Sequence, residues 1–134
     1  MLRDSMARRR RVRHPLLPHP EDWMSHSMSM TITPLNFLAG SQTLGYLNEG
    51  WTLDDAPHGS PERSFRSRVA FERAFTSTPL VHLGIAGFDV SNQDSARVAS
   101  RVENVSPEGF DIVLGTWLHT RVWRVDVNWL AIGA

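Results

Sequence analysis

The stretch "VWRVDVNWLAI", near the end of the chain, alternates apolar and polar residues. Trp123, Val125, Val127 and Trp129 share one parity, and Arg124, Asp126 and Asn128 share the other. A period of two puts one set on each face of a pleated strand, so the stretch predicts a half-buried β-strand. The same period recurs upstream. "GFDIVLGTW" sets Phe110, Ile112 and Leu114 on one face, and "SARVASRVENV" places Val98 and Val102 opposite arginines. "PLVHLGIAGFDV" alternates at Val81, Leu83 and Ile85, and "RSRVAFERAF" puts Val69, Phe71 and Phe75 on one side. A short first strand is read at "SQTLGYL".

Turn-forming clusters separate these runs: "DDAPHGSPE", "TSTP", "DVSNQDS" and "SPEG". Each is rich in residues that accept tight backbone geometry or bond their own main chain. "NVSPEGF" reads as a tight connection, with Gly109 free to take positive φ. Strands at intervals of about 12 residues, with no helical period between them, predict an all-β fold. The expected architecture is a six-stranded antiparallel β-sandwich.

That pattern occupies residues 35–134 of the 134-residue chain, which suits one domain. Residues 1–34 differ: the run "RDSMARRRRVR", four prolines and the Met/Ser-rich "WMSHSMSMTITP" show neither period. A flexible N-terminal arm is the expected state. Its arginines could contact phosphates, but the domain carries no accompanying basic face, so nucleic acid is not the expected partner. No apolar run approaches the roughly 20 residues of a membrane-spanning helix. No apolar segment follows the basic start, so no signal peptide is expected and the compartment stays open.

Chemistry is constrained by absences in the sequence. There is no cysteine, which excludes disulfides and thiolate metal sites. The six histidines have no metal-ligand spacing, and His82 lies mid-strand, where a structural or surface role is expected. Nucleophile-elbow, phosphate-loop and dinucleotide signatures are missing, and the adjacent Asp54 and Asp55 read as turn formers. The chain is expected to be neither an enzyme nor a carrier of metal or cofactor.

What stands out is indole. "GTWLHTRVWRVDVNWLAIG" holds Trp117, Trp123 and Trp129. Trp129 reads as core. Trp123 shares its parity and is expected in the core too, at the mouth of the strand. Trp117 has the opposite parity to Ile112 and Leu114, so it faces away from the core, towards a subunit interface or a ligand. Sugar recognition uses an aromatic face against C–H groups and arginine forks on vicinal hydroxyls. "TWLHTRVW" supplies Trp117, His119, Arg121 and Trp123, and Arg97 comes from the neighbouring strand.

From "FLAGSQTLGYLNEGW" to its end, the chain resembles the H-type lectin domain, the module of snail agglutinins and of the C-terminal part of discoidins. The resemblance rests on "VAFERAFTSTPLVHLGIAGFDV", "ARVASRVENVSPEGF" and "GTWLHTRVWRVDVNWLAIG". In that family a "VSPxGF"-like turn leads to a "TW" strand end, and a "WxAI"-like strand closes the domain. The resemblance implies a six-stranded antiparallel sandwich that associates as a homotrimer. It also implies calcium-independent binding of galactose-type glycans, N-acetylgalactosamine above all, between adjacent subunits. Arg97 would hold sugar hydroxyls, Trp117 would be the tryptophan of the "TW" pair, and Trp123 would meet the acetyl group. The position after Trp117, often histidine in the family, is Leu118 here, with His119 one place later. The family's aspartate-bearing loop corresponds to "DDAPHGSPE", where the matching position falls near Gly59 or Ser60. No aspartate stands there, and Asp54 or Asp55 could replace it only if the loop is shifted. The implied role is adhesion to glycan-coated surfaces. The alternative is a structural trimerisation module of a larger surface assembly, with Trp117, Arg97 and Arg101 as interface residues.

Overall fold

The computed structural model describes Ser27, Ser29, residues 35–55 and residues 62–134. The arm expected over residues 1–34 lies, those two serines apart, outside the described residues. Every regular element described is a strand: β1 (Asn36–Gly45), β2 (Arg63–Ala70), β3 (Leu80–Val90), β4 (Ala99–Ser106), β5 (Gly109–Thr116) and β6 (Val122–Gly133). They form two three-stranded antiparallel sheets, ordered β1-β6-β3 and β2-β5-β4. The fold is the six-stranded antiparallel sandwich that the period-two pattern predicts.

The central strands β5 and β6 supply the core. Phe110, Ile112 and Leu114 on β5, and Val125, Val127 and Ala131 on β6, are buried between the sheets. Trp129 stands edge-on to Phe110, with ring centres 5.4 Å apart at 73°. It also packs 5.8 Å from Phe71. Gly40 on β1 leaves room for this indole, since a Cβ there would lie 2.6 Å from it. On the outer face of β5, Val113 is buried as well, between its cross-strand neighbours Arg66 and Arg101, whose aliphatic stems shield it.

Several expectations are corrected. The first strand begins at Asn36, ahead of "SQTLGYL", and stops at Gly45, leaving Tyr46 and Leu47 exposed in the next turn. The stretch "RSRVAFERAF" is not one strand, because β2 ends at Ala70. Phe71 and Phe75 are buried from the loop beyond it, where their amides donate to the carbonyls of Glu108 and Pro107. They close the lower end of the sandwich. Ile85 pairs with Val127 and so faces inward, yet it is 38% exposed. It lies on an edge strand next to a bulge between Ile85 and Gly87, where the sheet covers it from one side only.

Gly109 does not take positive φ. Left-handed backbone falls instead at Gly50, Asn104 and Leu118, with φ of 81°, 51° and 56°. Gly109 is needed for space, because a Cβ there would overlap the Val69 carbonyl of the paired strand.

Removing the central indole should be costly. Trp129→Ala is expected to lose about 3–5 kcal/mol of stability in urea unfolding, since a large cavity would open against Phe110 and Phe71. A loss below about 1 kcal/mol would show that Trp129 does not fill the core.

Candidate functional site

Three segments that the strands do not absorb meet at the upper end of the sandwich: residues 51–55, 91–98 and 117–121. They lie where β1 and β3 end and where β5 turns into β6. Trp51 and Leu53, just ahead of the turn-rich "DDAPHGSPE", are buried. The Trp51 indole donates to the Val122 carbonyl at 2.9 Å, and the Val122 amide donates to the Leu53 carbonyl at 2.7 Å. These bonds seat the loop against the first residue of β6.

Arg63 ties the segments together. Its Nη1 donates to the carbonyls of Leu53 (3.3 Å) and Asp55 (2.8 Å). Its Nη2 donates to the carbonyls of Leu118 and Thr120, both at 2.9 Å. Its Nε is buried and without a partner among the described residues. Sequence reasoning missed this residue, although a signal was available. Arg63 has the inward parity of Phe65, Ser67 and Val69, so it is a cation at an apolar position of its strand.

Arg97 is held just as firmly. Its Nη1 donates to Asp94 Oδ2 and to Thr120 Oγ1, each at 2.9 Å. Two buried threonines fasten the same loop: Thr116 Oγ1 donates to the Arg97 carbonyl and Thr120 Oγ1 to the Ser95 carbonyl, both at 2.6 Å. The Arg97 guanidinium, with the Ser95 amide, holds the Asp94 carboxyl below its ordinary value of 3.8, and His119 adds to the field. A carboxylate with a lowered folded pKa contributes stability above its ordinary value and loses it as pH falls through the lowered one. The tether is therefore complete at neutral pH and weakens only in acid.

The remaining expected residues divide into two groups. Trp117 is 38% exposed and faces outward on the β2-β5-β4 sheet. It stands at the rim of a depression of about 380 Å³. Leu118 follows in the left-handed region, a conformation that costs a branched residue of order 1–3 kcal/mol and that the Arg63 bond to its carbonyl supports. His119 is exposed on the same turn. Arg97, Trp117, Leu118 and His119 are thus collected on adjoining loops.

Trp123 is not among them, and it is not in the core as its parity predicts. The register of β3 against β6 shifts between Asp89 and Val90, and fully buried Val122 takes the inward place. Trp123 lies instead in a shallow recess with Thr43, Tyr46 and Leu47. The Arg121 guanidinium sits 4.9 Å from its ring centre, and Arg121 Nε donates to the Asp54 carbonyl at 2.6 Å. The recess of Trp123 and the depression beside Trp117 share no lining residue. Gly59 and Ser60 lie outside the described residues. Asp54 and Asp55 use their carbonyls to hold Arg121 and Arg63.

A sequence model of the H-type lectin domain matches residues 66–132, half of the chain and the part that carries all of these loop residues after β2. The chain belongs to the H-type lectin domain family. Two solved structures of discoidin II from Dictyostelium discoideum share the fold. The recombinant protein superposes with a TM-score of 0.63 at 21% identity, over 79% of this chain and 40% of that one. The wild-type protein gives 0.63 at 22% identity, over 78% and 39%. A protein described as "ATP synthase subunits region ORF 7", from Fuscovulum blasticum, is 41% identical over 76 residues, covering 57% of this chain and 66% of that protein. The matches therefore take in less than half of the discoidin II chains and just under two thirds of the Fuscovulum protein. The lectin match begins after Arg63, so the residue that ties the loops falls outside it.

Arg63→Met should uncouple those loops. Four charge-assisted bonds are lost, and the expected cost is at least about 3 kcal/mol in thermal or urea unfolding. An unchanged melting temperature would show that the loops hold themselves.

Proposed function

We propose that this H-type lectin domain binds galactose-type glycans, N-acetylgalactosamine among them, and that it acts in adhesion as a homotrimer. The proposed contacts are Arg97, Trp117, Leu118, His119 and Trp123, with the loop that carries Gly59 and Ser60 as a further wall. The reading rests above all on Arg97. Its Nη1 is locked by Asp94 and Thr120, while its Nε and Nη2 make no hydrogen bond among the described residues. A fork held in one place by the buried Thr120 and the exposed Asp94 loses little further freedom when it takes two hydroxyls. The half-exposed Trp117 offers an apolar face for the C–H side of a pyranose.

Trp117 and Trp123 line separate recesses in one copy, and a site shared between neighbouring copies can use both. The outer face of the β1-β6-β3 sheet favours self-association. Phe37, Leu80 and Leu130 are 61%, 44% and 36% exposed there, and Phe37 and Leu80 flank Ile132 across the strands. Such a patch is costly to leave in water. Three weak sites on one assembly gain avidity by factors of about 10² or more when the geometry fits.

The second reading, a structural trimerisation module without sugar binding, is favoured by the same tether, since Arg97 already works within its own loop. Calorimetric titration with galactose and N-acetylgalactosamine separates the two. Trp117→Ala is expected to weaken binding at least tenfold, about 1.4 kcal/mol, with little change in melting temperature because the side chain is partly exposed. Wild-type protein that stays silent to both sugars would leave the structural reading. Light scattering in EDTA should give the mass of three chains, and a monomer would remove the trimer from both readings.

A further inference from the structure

The depression beside Trp117 has a floor with an unusual origin. Ser64 on β2 and Ala99 on β4 both pair with Gly115 on β5, so three small residues lie side by side across the outer face. The next row is tall: Arg66, Val113 and Arg101 pair across the same strands. On the other side rise Trp117 and Glu62. The row of small residues is therefore a trench between an arginine wall and an indole wall.

Gly115 differs from the other glycines described. Gly50 has left-handed backbone, and a Cβ at Gly40, Gly45, Gly84, Gly109 or Gly133 would strike a neighbour at 2.8 Å or closer. A Cβ at Gly87 would press on Asp126 at 3.3 Å. At Gly115 the backbone is not left-handed, and a Cβ would meet only the Arg63 carbonyl oxygen, at an ordinary 3.6 Å. Neither conformation nor packing within the chain asks for glycine here. A strand interior disfavours it. The trench is what a side chain at this position would abolish.

The walls are those of a polyol site. The Arg101 side chain is 58% exposed, with Nε on Glu103 and no bond at either Nη among the described residues. Glu62, exposed on the opposite rim, is an acceptor. Donor and acceptor thus face one another across an indole flank, with the Ser64 hydroxyl on the floor. The volume of about 380 Å³ lies at the small end of the roughly 300–1,000 Å³ of ligand sites. Lining charges of both signs favour a neutral ligand with several hydroxyls over an anion.

We infer that the trench over Gly115 is a second sugar subsite, which takes the neutral pyranose next to the terminal one. The inference rests on the lectin reading of Arg97 and Trp117 and adds a length preference to it. Trp117 is the shared wall: the terminal sugar lies on its loop side, and the following residue lies on its sheet side, between Arg101 and Glu62. The domain would then read a disaccharide rather than a single sugar.

The test compares N-acetylgalactosamine and galactose with neutral disaccharides that carry the same sugars at the non-reducing end, by calorimetric titration of the full chain. Wild type is expected to bind at least one such disaccharide tenfold or more tighter than the monosaccharide. Gly115→Val, which fills the floor, should erase that gain and leave monosaccharide affinity within twofold. Arg101→Met, which keeps the stem over Val113, should remove part of the gain. Gly115→Ala serves as the milder variant should the valine disturb folding. The subsite is overturned if wild type binds every disaccharide no better than the monosaccharide, or if the gain survives Gly115→Val. It is also overturned if Gly115→Val changes the mass in light scattering, which would make the trench a contact between copies. Absence of monosaccharide binding by wild type would instead refute the lectin reading itself, and the subsite with it.

Discussion

One guanidinium holds the upper end of this domain together. Arg63 sits at the start of β2, on the inward side of the strand, and satisfies four backbone carbonyls from two separate loops. Carbonyls at the end of a sandwich have no ladder to join, and leaving them buried and unpaired is expensive. A planar cation with five donors suits such a cluster better than any neutral side chain. Among the described residues its charge is met by carbonyl dipoles and not by a carboxylate. Arg97, Thr116 and Thr120 extend the same solution to the neighbouring loop. The left-handed turn at Leu118 is affordable because its carbonyl is one of the four that Arg63 binds.

The outer face of the β2-β5-β4 sheet is organised differently. Arg66 bonds to Glu103 and Asp111, Arg68 to Asp111 and the Asn104 carbonyl, and Arg101 to Glu103. The Asn104 amide, delivered by a left-handed bulge in β4, is the chief reason that the Asp111 carboxyl lies below its ordinary range, with the two arginines assisting. Arg101 and Arg66 do the same for Glu103. Exposed pairs of this kind contribute little stability individually. As a network they fix the arginine stems beside Val113, and Arg101 of that row lines the trench.

The sheet architecture was legible because it depends on parity alone. Phe110, Ile112 and Leu114, and Val125, Val127 and Trp129, face where a period of two puts them. Parity failed where a partner strand intervened. The shift in β3 pairing at Asp89 turned Trp123 out of the core, and no pattern within β6 records that shift. Arg97, Trp117 and His119 were singled out by residue type, and the fold does bring them onto adjoining loops. In the sequence Arg63 is marked only as a cation at an apolar position, because its role depends on carbonyls supplied by residues 55 and 57 positions away in the chain. The two glycines of β5 show the same limit. Sequence marks both as permissive, while only the folded sheet reveals that Gly109 yields to a neighbouring backbone and Gly115 to empty space.

The bonds that shape the upper end also span long stretches of sequence. Trp51 reaches Val122 across 71 residues, and Arg121 reaches Asp54 across 67. Closing loops of that length carries an entropy cost that must be met before such contacts form. A sandwich whose loops are joined this way folds slowly compared with a helical domain of equal size. It also leaves no early fragment able to present Arg97 and Trp117 together. The upper end is thus assembled only in the completed fold, and a newly made or partly unfolded copy lacks it until both sheets have closed.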